Sequence, residues 1–75
     1  MKQIGTKVQY FGIDIVIQHP YVATDIDGLV CNYEHEPSVQ TSSFNSGYGY
    51  FIVAKVDLED MDWKDTLVKF ELEQT

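Results

Sequence analysis

Residues 21–34 have the sequence Tyr-Val-Ala-Thr-Asp-Ile-Asp-Gly-Leu-Val-Cys-Asn-Tyr-Glu, which reads as two strands joined by a tight turn. Asp-Gly between apolar residues is among the strongest short-range hairpin signals, because Gly28 lacks a Cβ and adopts positive φ easily. Asp25 and Asp27 can each accept a hydrogen bond from the backbone N–H two residues further on. The β-branched and aromatic flanks suit a pleated, half-buried surface. We therefore predict a hairpin over this stretch.

The Asp25-x-Asp27-Gly28 pattern is also found in calcium-binding loops. An EF-hand loop needs a further oxygen ligand before its Gly, a closing Glu, and helices on both sides. Glu34 stands where the closing ligand would be, but one ligand pair is missing and strands flank the turn. We predict a structural turn that holds no metal.

The neighbouring segments also favour β-structure. Residues 7–18 alternate with period two around Gly12, which predicts a first hairpin, and Pro20 ends it because it has no N–H to donate. Residues 38–49 form an uncharged linker. Tyr50–Val56 is apolar on both faces, so we expect it to be a central strand.

The end of the chain allows two interpretations. Aspartates suit a helix N-terminus, and we predict a short helix near residues 60–65. Residues 67–73 alternate as a strand does, although Trp63, Leu67 and Phe70 also fit helical spacing. We favour a strand at 67–73. The predicted fold is a mainly β single domain over residues 1–75, an antiparallel sheet of about five strands, curled or barrel-like, with one short helix.

Composition limits the classes of function. The chain has 75 residues and a formal net charge of −7. Such a charge favours basic partners and argues against direct nucleic-acid binding and against anionic membranes. The single cysteine, Cys31, and an N-terminus without an apolar signal region suggest the cytosol. No apolar run approaches the roughly 18 residues that span a bilayer.

Patterns for catalysis and metal binding are weak. The hydroxyl residues sit in 38–46 and His19 and His35 sit elsewhere in the chain, so the sequence shows no nucleophile paired with a base and an orienting third group. Those histidines and Cys31 lack the spacing of a zinc site. No Gly-rich phosphate loop precedes a helix. We predict that the chain is not an enzyme and uses no cofactor and no metal.

Two segments are candidate partner-binding surfaces. Residues 41–51 combine Tyr, Ser, Gly and Asn, as binding loops do, although the tyrosines could instead fold back onto the sheet. Residues 57–73 hold seven acidic residues against two lysines. This segment is either a solvated face around a core tryptophan or a surface for a basic partner, with the tryptophan as a hot spot. The predicted contact residues are Phe44, Tyr48, Asp57, Glu59, Asp60, Asp62, Trp63 and Asp65.

One longer pattern resembles a known group of proteins. Ala23-x-Asp-x-Asp-Gly-x-Val-x-x-Tyr-Glu-x-x-Pro37, followed by Trp63-x-x-Thr-Leu67, is similar to small accessory proteins of tailed bacteriophages. The resemblance covers the greater part of the chain and is interrupted by residues 41–49. It implies a phage origin and the host cytoplasm as the setting, and it carries no catalytic residue.

From these features we expect a non-enzymatic phage accessory protein that binds and modulates or inhibits a host protein with a basic surface. Inhibitors of host defence, of the anti-restriction or anti-CRISPR type, are the analogy. An acidic mimic of nucleic acid would lose affinity steeply with salt, whereas a binder that uses the aromatic loop would not. The alternatives are a structural or homo-oligomeric assembly module of a virion and a small-ligand sponge. The sponge would stack a nucleotide on Tyr48, Tyr50 and Trp63, and the acidic balance disfavours it.

Overall fold

The structure is a computed structural model that describes residues 4–72. Within these residues there are eight strands and one 3-10 helix, which spans Trp63–Asp65. The strands are β1 (Thr6–Tyr10), β2 (Ile13–Ile17), β3 (Tyr21–Thr24), β4 (Leu29–Tyr33), β5 (Ser38–Val39), β6 (Phe44–Asn45), β7 (Tyr50–Lys55) and β8 (Val68–Lys69). All pairings are antiparallel: β1 with β2, β5 with β6, and a four-stranded sheet in the order β7-β4-β3-β8. The prediction of a mainly β protein with a short helix near 60–65 is confirmed.

The predicted hairpin of residues 21–34 forms the two central strands of that sheet, β3 and β4. Its turn is closed by a hydrogen bond from the Gly28 amide to the Asp25 carbonyl at 2.9 Å, and Gly28 has φ of 85°. Asp27 accepts a hydrogen bond from the Leu29 amide, as expected. The Asp25 side chain does something different, because it accepts a hydrogen bond from the Phe44 amide at 2.9 Å. The hairpin turn therefore also anchors the long connection between β4 and β7.

The β1–β2 hairpin packs against one face of the sheet. It is joined by Phe11 and Gly12, both at positive φ. Its inward side chains meet those of the central strands in a first core cluster of Tyr10, Ile15, Ile17, Val22 and Val30. Asn32 of β4 is buried. Its carboxamide oxygen accepts hydrogen bonds from the amides of Gln18 and His19, which directly follow β2. These contacts position the hairpin over the sheet.

The opposite face is covered by the connection that contains β6 and by the 3-10 helix. The second core cluster consists of Ala23, Cys31, Tyr33, Phe44 and Trp63. The rings of Phe44 and Trp63 meet edge to face, with centroids 5.5 Å apart. An edge-to-face pair brings the positive ring edge to the negative ring face, so this contact is attractive beyond its buried area.

Three features of the predicted architecture are wrong. The main sheet has four strands instead of five, and none of the sheets in residues 4–72 closes into a barrel. The strands of the first hairpin pair only with each other, so they form a separate layer. In addition, β7 lies at the edge of the sheet and not at its centre. A central position was predicted because β7 is apolar on both faces. Three of its apolar side chains, Tyr50, Phe51 and Ile52, are nevertheless more than half exposed.

The C-terminal strand is also shorter than predicted. β8 comprises only Val68–Lys69, and it pairs with the first two residues of β3. The next residue, Phe70, donates its amide to the Pro20 carbonyl at 2.7 Å, beyond the start of β3. Because β3 offers no further partner, the ladder stops there. Residue 73 of the predicted strand lies outside the described residues.

Candidate functional site

The acidic segment, defined here as residues 57–65, is fastened to the sheet at both ends. At its start the Val56 amide donates to the Gly28 carbonyl at 2.8 Å. At its end Thr66 is fully buried, and its hydroxyl accepts from the Thr24 amide at 2.9 Å. The segment therefore leaves from β7 and returns beside the turn end of the central hairpin.

A buried phenol reinforces the second anchor. The Tyr10 hydroxyl donates to the Thr66 carbonyl at 2.7 Å and lies 2.8 Å from the Thr24 hydroxyl. Burial raises the pKa of Tyr10 above its ordinary value, although both hydrogen bonds act in the opposite direction. The phenol is therefore protonated at neutral pH and can donate. It links the first hairpin, the sheet and the acidic segment.

Local hydrogen bonds set the shape of the acidic segment. Asp57 accepts from the Glu59 amide at 2.9 Å, and the Met61 amide donates to the Leu58 carbonyl at 2.9 Å. Asp62 caps the 3-10 helix by accepting from the Lys64 amide at 3.0 Å. Such Asx turns and caps satisfy backbone groups that would otherwise need water. The carboxylates are thus presented on a defined backbone.

The charge on this segment is almost entirely negative and faces solvent. Its one basic residue, Lys64, lies 3.8 Å from the carboxylate of Asp62, and both side chains are about half exposed. An exposed ion pair of this kind has little net effect and leaves the local field negative. The carboxylates exposed on the segment are those of Asp57, Glu59, Asp60, Asp62 and Asp65. All five were predicted as contact residues.

Apolar side chains lie among these acids. An open depression of about 500 Å³ is lined on one side by the 26–28 turn and on the other by the acidic segment. Ile26 is 56% exposed and Met61 is 41% exposed, and both line the depression together with Asp27, Asp57 and Glu59. The acidic segment and this depression together are called the acidic face below. The acidic face offers apolar contact area with a negative rim.

A second exposed surface lies at the sheet edge. The aromatic edge, defined as Tyr48, Tyr50, Phe51 and Ile52, is exposed to 64%, 55%, 57% and 58% respectively. Histidine rings contact two of its members. Between ring centroids, His35 lies 4.1 Å from Tyr48 in a tilted arrangement, and His19 stacks on Phe51 at 5.8 Å. Scattered exposed apolar residues are ordinary, but these four lie within five consecutive residues at one end of an edge strand, with Tyr50 and Ile52 on one face of the sheet and Phe51 on the other.

The predicted aromatic anchors separate into two groups. Tyr48 is exposed as predicted, and it does not fold back onto the sheet. The exposure predicted for Phe44 is wrong: its side chain is only 5% exposed, because the Asp25 carboxylate holds its amide and its ring packs on Trp63. Trp63 is 8% exposed, which confirms the interpretation of a core tryptophan inside a solvated acidic segment.

Sequence reasoning missed several surface residues. Ile26 and Met61 are single apolar residues in turns, and such residues carry no periodic signal. Phe51 and Ile52 belong to the predicted central strand, in which both faces would be at least partly covered.

Cys31 is a core residue with a protonated thiol. Its side chain is 1% exposed, and burial, with a smaller contribution from the Asp25 carboxylate, raises its pKa to about 11. Nucleophiles and metal ligands need the thiolate, which this environment disfavours at neutral pH. Among residues 4–72 no group of three or more His, Cys, Asp or Glu side chains is placed to hold a metal ion.

Comparison with known proteins adds no family assignment. No protein-family model, curated protein or solved structure matches the chain. The resemblance to phage accessory proteins therefore remains a prediction from sequence. In the described part of the chain, no helix has the length and apolarity needed to cross a membrane.

Proposed function

We propose that this chain is a non-enzymatic accessory protein of the tailed-phage type that binds a host protein and modulates or inhibits it. The acidic face is the binding surface, and the partner presents a basic surface with an apolar centre. The observation that carries this proposal is the placement of the exposed Ile26 and Met61 beside the carboxylates of Asp57 and Glu59 in one depression.

The geometry of the acidic face supports binding to a protein. Apolar side chains at the centre of a charged rim match the anatomy of protein interfaces, in which the centre supplies desolvated contact and the rim supplies orientation. The acids also attract a basic partner at long range and speed its association. Because the backbone of residues 57–65 is already held by hydrogen bonds, little conformational entropy is lost on binding.

The cellular role is proposed by analogy. Small acidic proteins that occupy the nucleic-acid groove of a host enzyme block it without chemistry, so a restriction or CRISPR effector is a suitable class of target. This role implies action in the cytoplasm of the host cell. It requires neither a cofactor nor a catalytic residue, since stoichiometric occupation of the groove is sufficient.

The test is a pull-down of the tagged chain from bacterial lysate at low and at high salt, with its mass in solution measured alongside. We expect one stoichiometric partner that is retained at low salt and released at high salt, because exposed charges separated by more than a Debye length, about 8 Å at physiological ionic strength, are screened. Failure to retain any partner at either salt would contradict the proposal. It would leave the assembly module of a virion as the better interpretation.

A further inference from the structure

The first half of the outer edge of β7, residues 50–52, lacks the usual protection against pairing. Within residues 4–72 no strand pairs with that edge, since β7 is the first strand in the order β7-β4-β3-β8. Proteins commonly block such edges with proline, with charges or with a bulge. The stretch Tyr50–Ile52 has neither proline nor charge, and the register shift of β7 falls later, opposite Val30 and Cys31.

The sequence of β7 is compatible with pairing to a copy of itself. Antiparallel pairing centred on Phe51 places Tyr50 opposite Ile52 of the second copy, twice by symmetry, and Phe51 opposite Phe51. Aromatic–aromatic and aromatic–β-branched cross-strand pairs are among the favourable ones. Lys55 lies beyond the register shift at Val53 and outside the paired stretch 50–52, so no like charges meet there. Tyr50 and Ile52 lie on the same face, because they pair with Tyr33 and Cys31 of the second core cluster.

We propose that the aromatic edge binds a second copy of this chain, with two β7 strands paired antiparallel about Phe51 so that two four-stranded sheets become one continuous sheet. This inference goes beyond the proposed function and does not depend on the identity of any host partner. The acidic face lies on the turn side of the central hairpin and stays free in each copy.

Charge favours a second copy over a basic protein at this edge. The only charged residue of β7 is Lys55, and the strand carries no carboxylate to pair with a basic partner. A basic partner is directed to the acidic face instead, where the carboxylates are concentrated. An uncharged apolar edge is complementary to itself.

The exposed side chains supply only part of the area of a standard interface, so main-chain pairing must supply much of the rest. A large aromatic side chain offers roughly 150–250 Å², so the three aromatic side chains and Ile52, all exposed by more than half, present about 400–500 Å² per copy. A specific interface of standard size buries about 800 Å² per partner. Backbone pairing along the edge and the flanking His19 and His35 rings supply further contact.

The experiment is analytical ultracentrifugation of the whole chain across protein and salt concentration. We expect a dimer of twice 8.6 kDa. The dimer should dissociate less as the salt concentration rises, because each copy carries a net charge of −7 and salt screens their repulsion. Phe51→Lys places two like charges at the symmetry axis and should weaken dimerisation by at least about tenfold. The matched control Ile26→Lys makes the same charge change at an exposed residue away from β7 and should leave the dimer intact.

A second pair of variants tests the register and guards against simple misfolding. A mixture of Phe51→Lys and Phe51→Glu chains should form heterodimers, since opposite charges then meet at the axis, while each chain alone is monomeric and retains its circular dichroism spectrum. A wild-type chain that stays monomeric throughout would overturn the inference and leave the edge to a strand from another protein. A dimer that Phe51→Lys and Ile26→Lys affect equally would also overturn it.

Discussion

At the scale of single residues, the molecule depends on a few buried polar groups that are all satisfied. No buried side-chain nitrogen or oxygen in residues 4–72 lacks a hydrogen-bond partner. Tyr10, Thr24 and Thr66 form one network across three elements. Removing one member leaves another unsatisfied inside the protein, which costs more than the net contribution of the lost hydrogen bond.

Tyr10→Phe should therefore destabilise the fold by about 1–3 kcal/mol, because the Thr66 carbonyl loses its donor in a buried position. The measurement is the free energy of unfolding in urea. Tyr48→Phe is the matched control, since Tyr48 is 64% exposed and its hydroxyl can bond with water. Equal stability of the two variants would show that the buried network does not hold the acidic segment.

Because the Cys31 thiol is buried, the free energy of unfolding should depend on pH in the alkaline range. The pKa of Cys31 is raised from 9.0 to about 11 in the folded protein, so the unfolded chain loses its thiol proton first as pH rises. The contribution is fully present below pH 9 and is lost between about pH 9 and 11, by at most about 2–3 kcal/mol. Urea unfolding across this range should show a shallower fall for Cys31→Ala than for wild type. Identical slopes would contradict the account.

At the scale of elements, the sequence was informative where local chemistry governs structure. The hairpin of residues 21–34, the first hairpin and the strand at Tyr50 could all be predicted from alternation and turn residues. The position of β7 could not be predicted. Period-two alternation shows which side chains share a face, but it does not show which strands lie next to each other in the sheet. The burial of Phe44 could not be predicted either, since it depends on a hydrogen bond to Asp25, which lies nineteen residues earlier in the chain.

The turn of the central hairpin gives a prediction at this scale. Gly28→Ala should unfold the chain substantially, because Gly28 has φ of 85° and a Cβ there would collide with the Val56 carbonyl that follows β7. Gly47→Ala is the matched control, with φ of 75° and no atom within 4 Å of the added Cβ. Thermal unfolding should show a much lower midpoint for the first variant than for the second. Similar midpoints would mean that backbone strain alone, about 1–3 kcal/mol, sets the cost.

The packing of Phe44 in the second core cluster gives another prediction at this scale. Phe44→Ala should cost about 3–5 kcal/mol, the usual effect of removing a buried aromatic ring. Phe51→Ala, at an exposed position of the aromatic edge, should cost far less in a monomer. Chemical denaturation of both variants at low protein concentration distinguishes them. A small effect at Phe44 would argue against the packing of its ring on Trp63.

At the scale of the whole molecule, the surface divides into two regions with different chemistry. The acidic face combines carboxylates with Ile26 and Met61, whereas the aromatic edge of β7 carries no carboxylate. Salt should therefore act on them in opposite directions, weakening attraction to a basic partner and relieving repulsion between two copies. A part of this division was visible in the sequence, because the acids are concentrated after residue 56.

The most direct test of the proposed function compares two neutralised variants in the lysate pull-down. Glu59→Gln with Asp60→Asn removes two charges from the acidic face, and Glu34→Gln with Glu36→Gln removes two exposed charges elsewhere. We predict that the first variant loses the host partner at a lower salt concentration than wild type, while the second behaves as wild type. Equal retention of the partner by both variants would contradict binding through the acidic face.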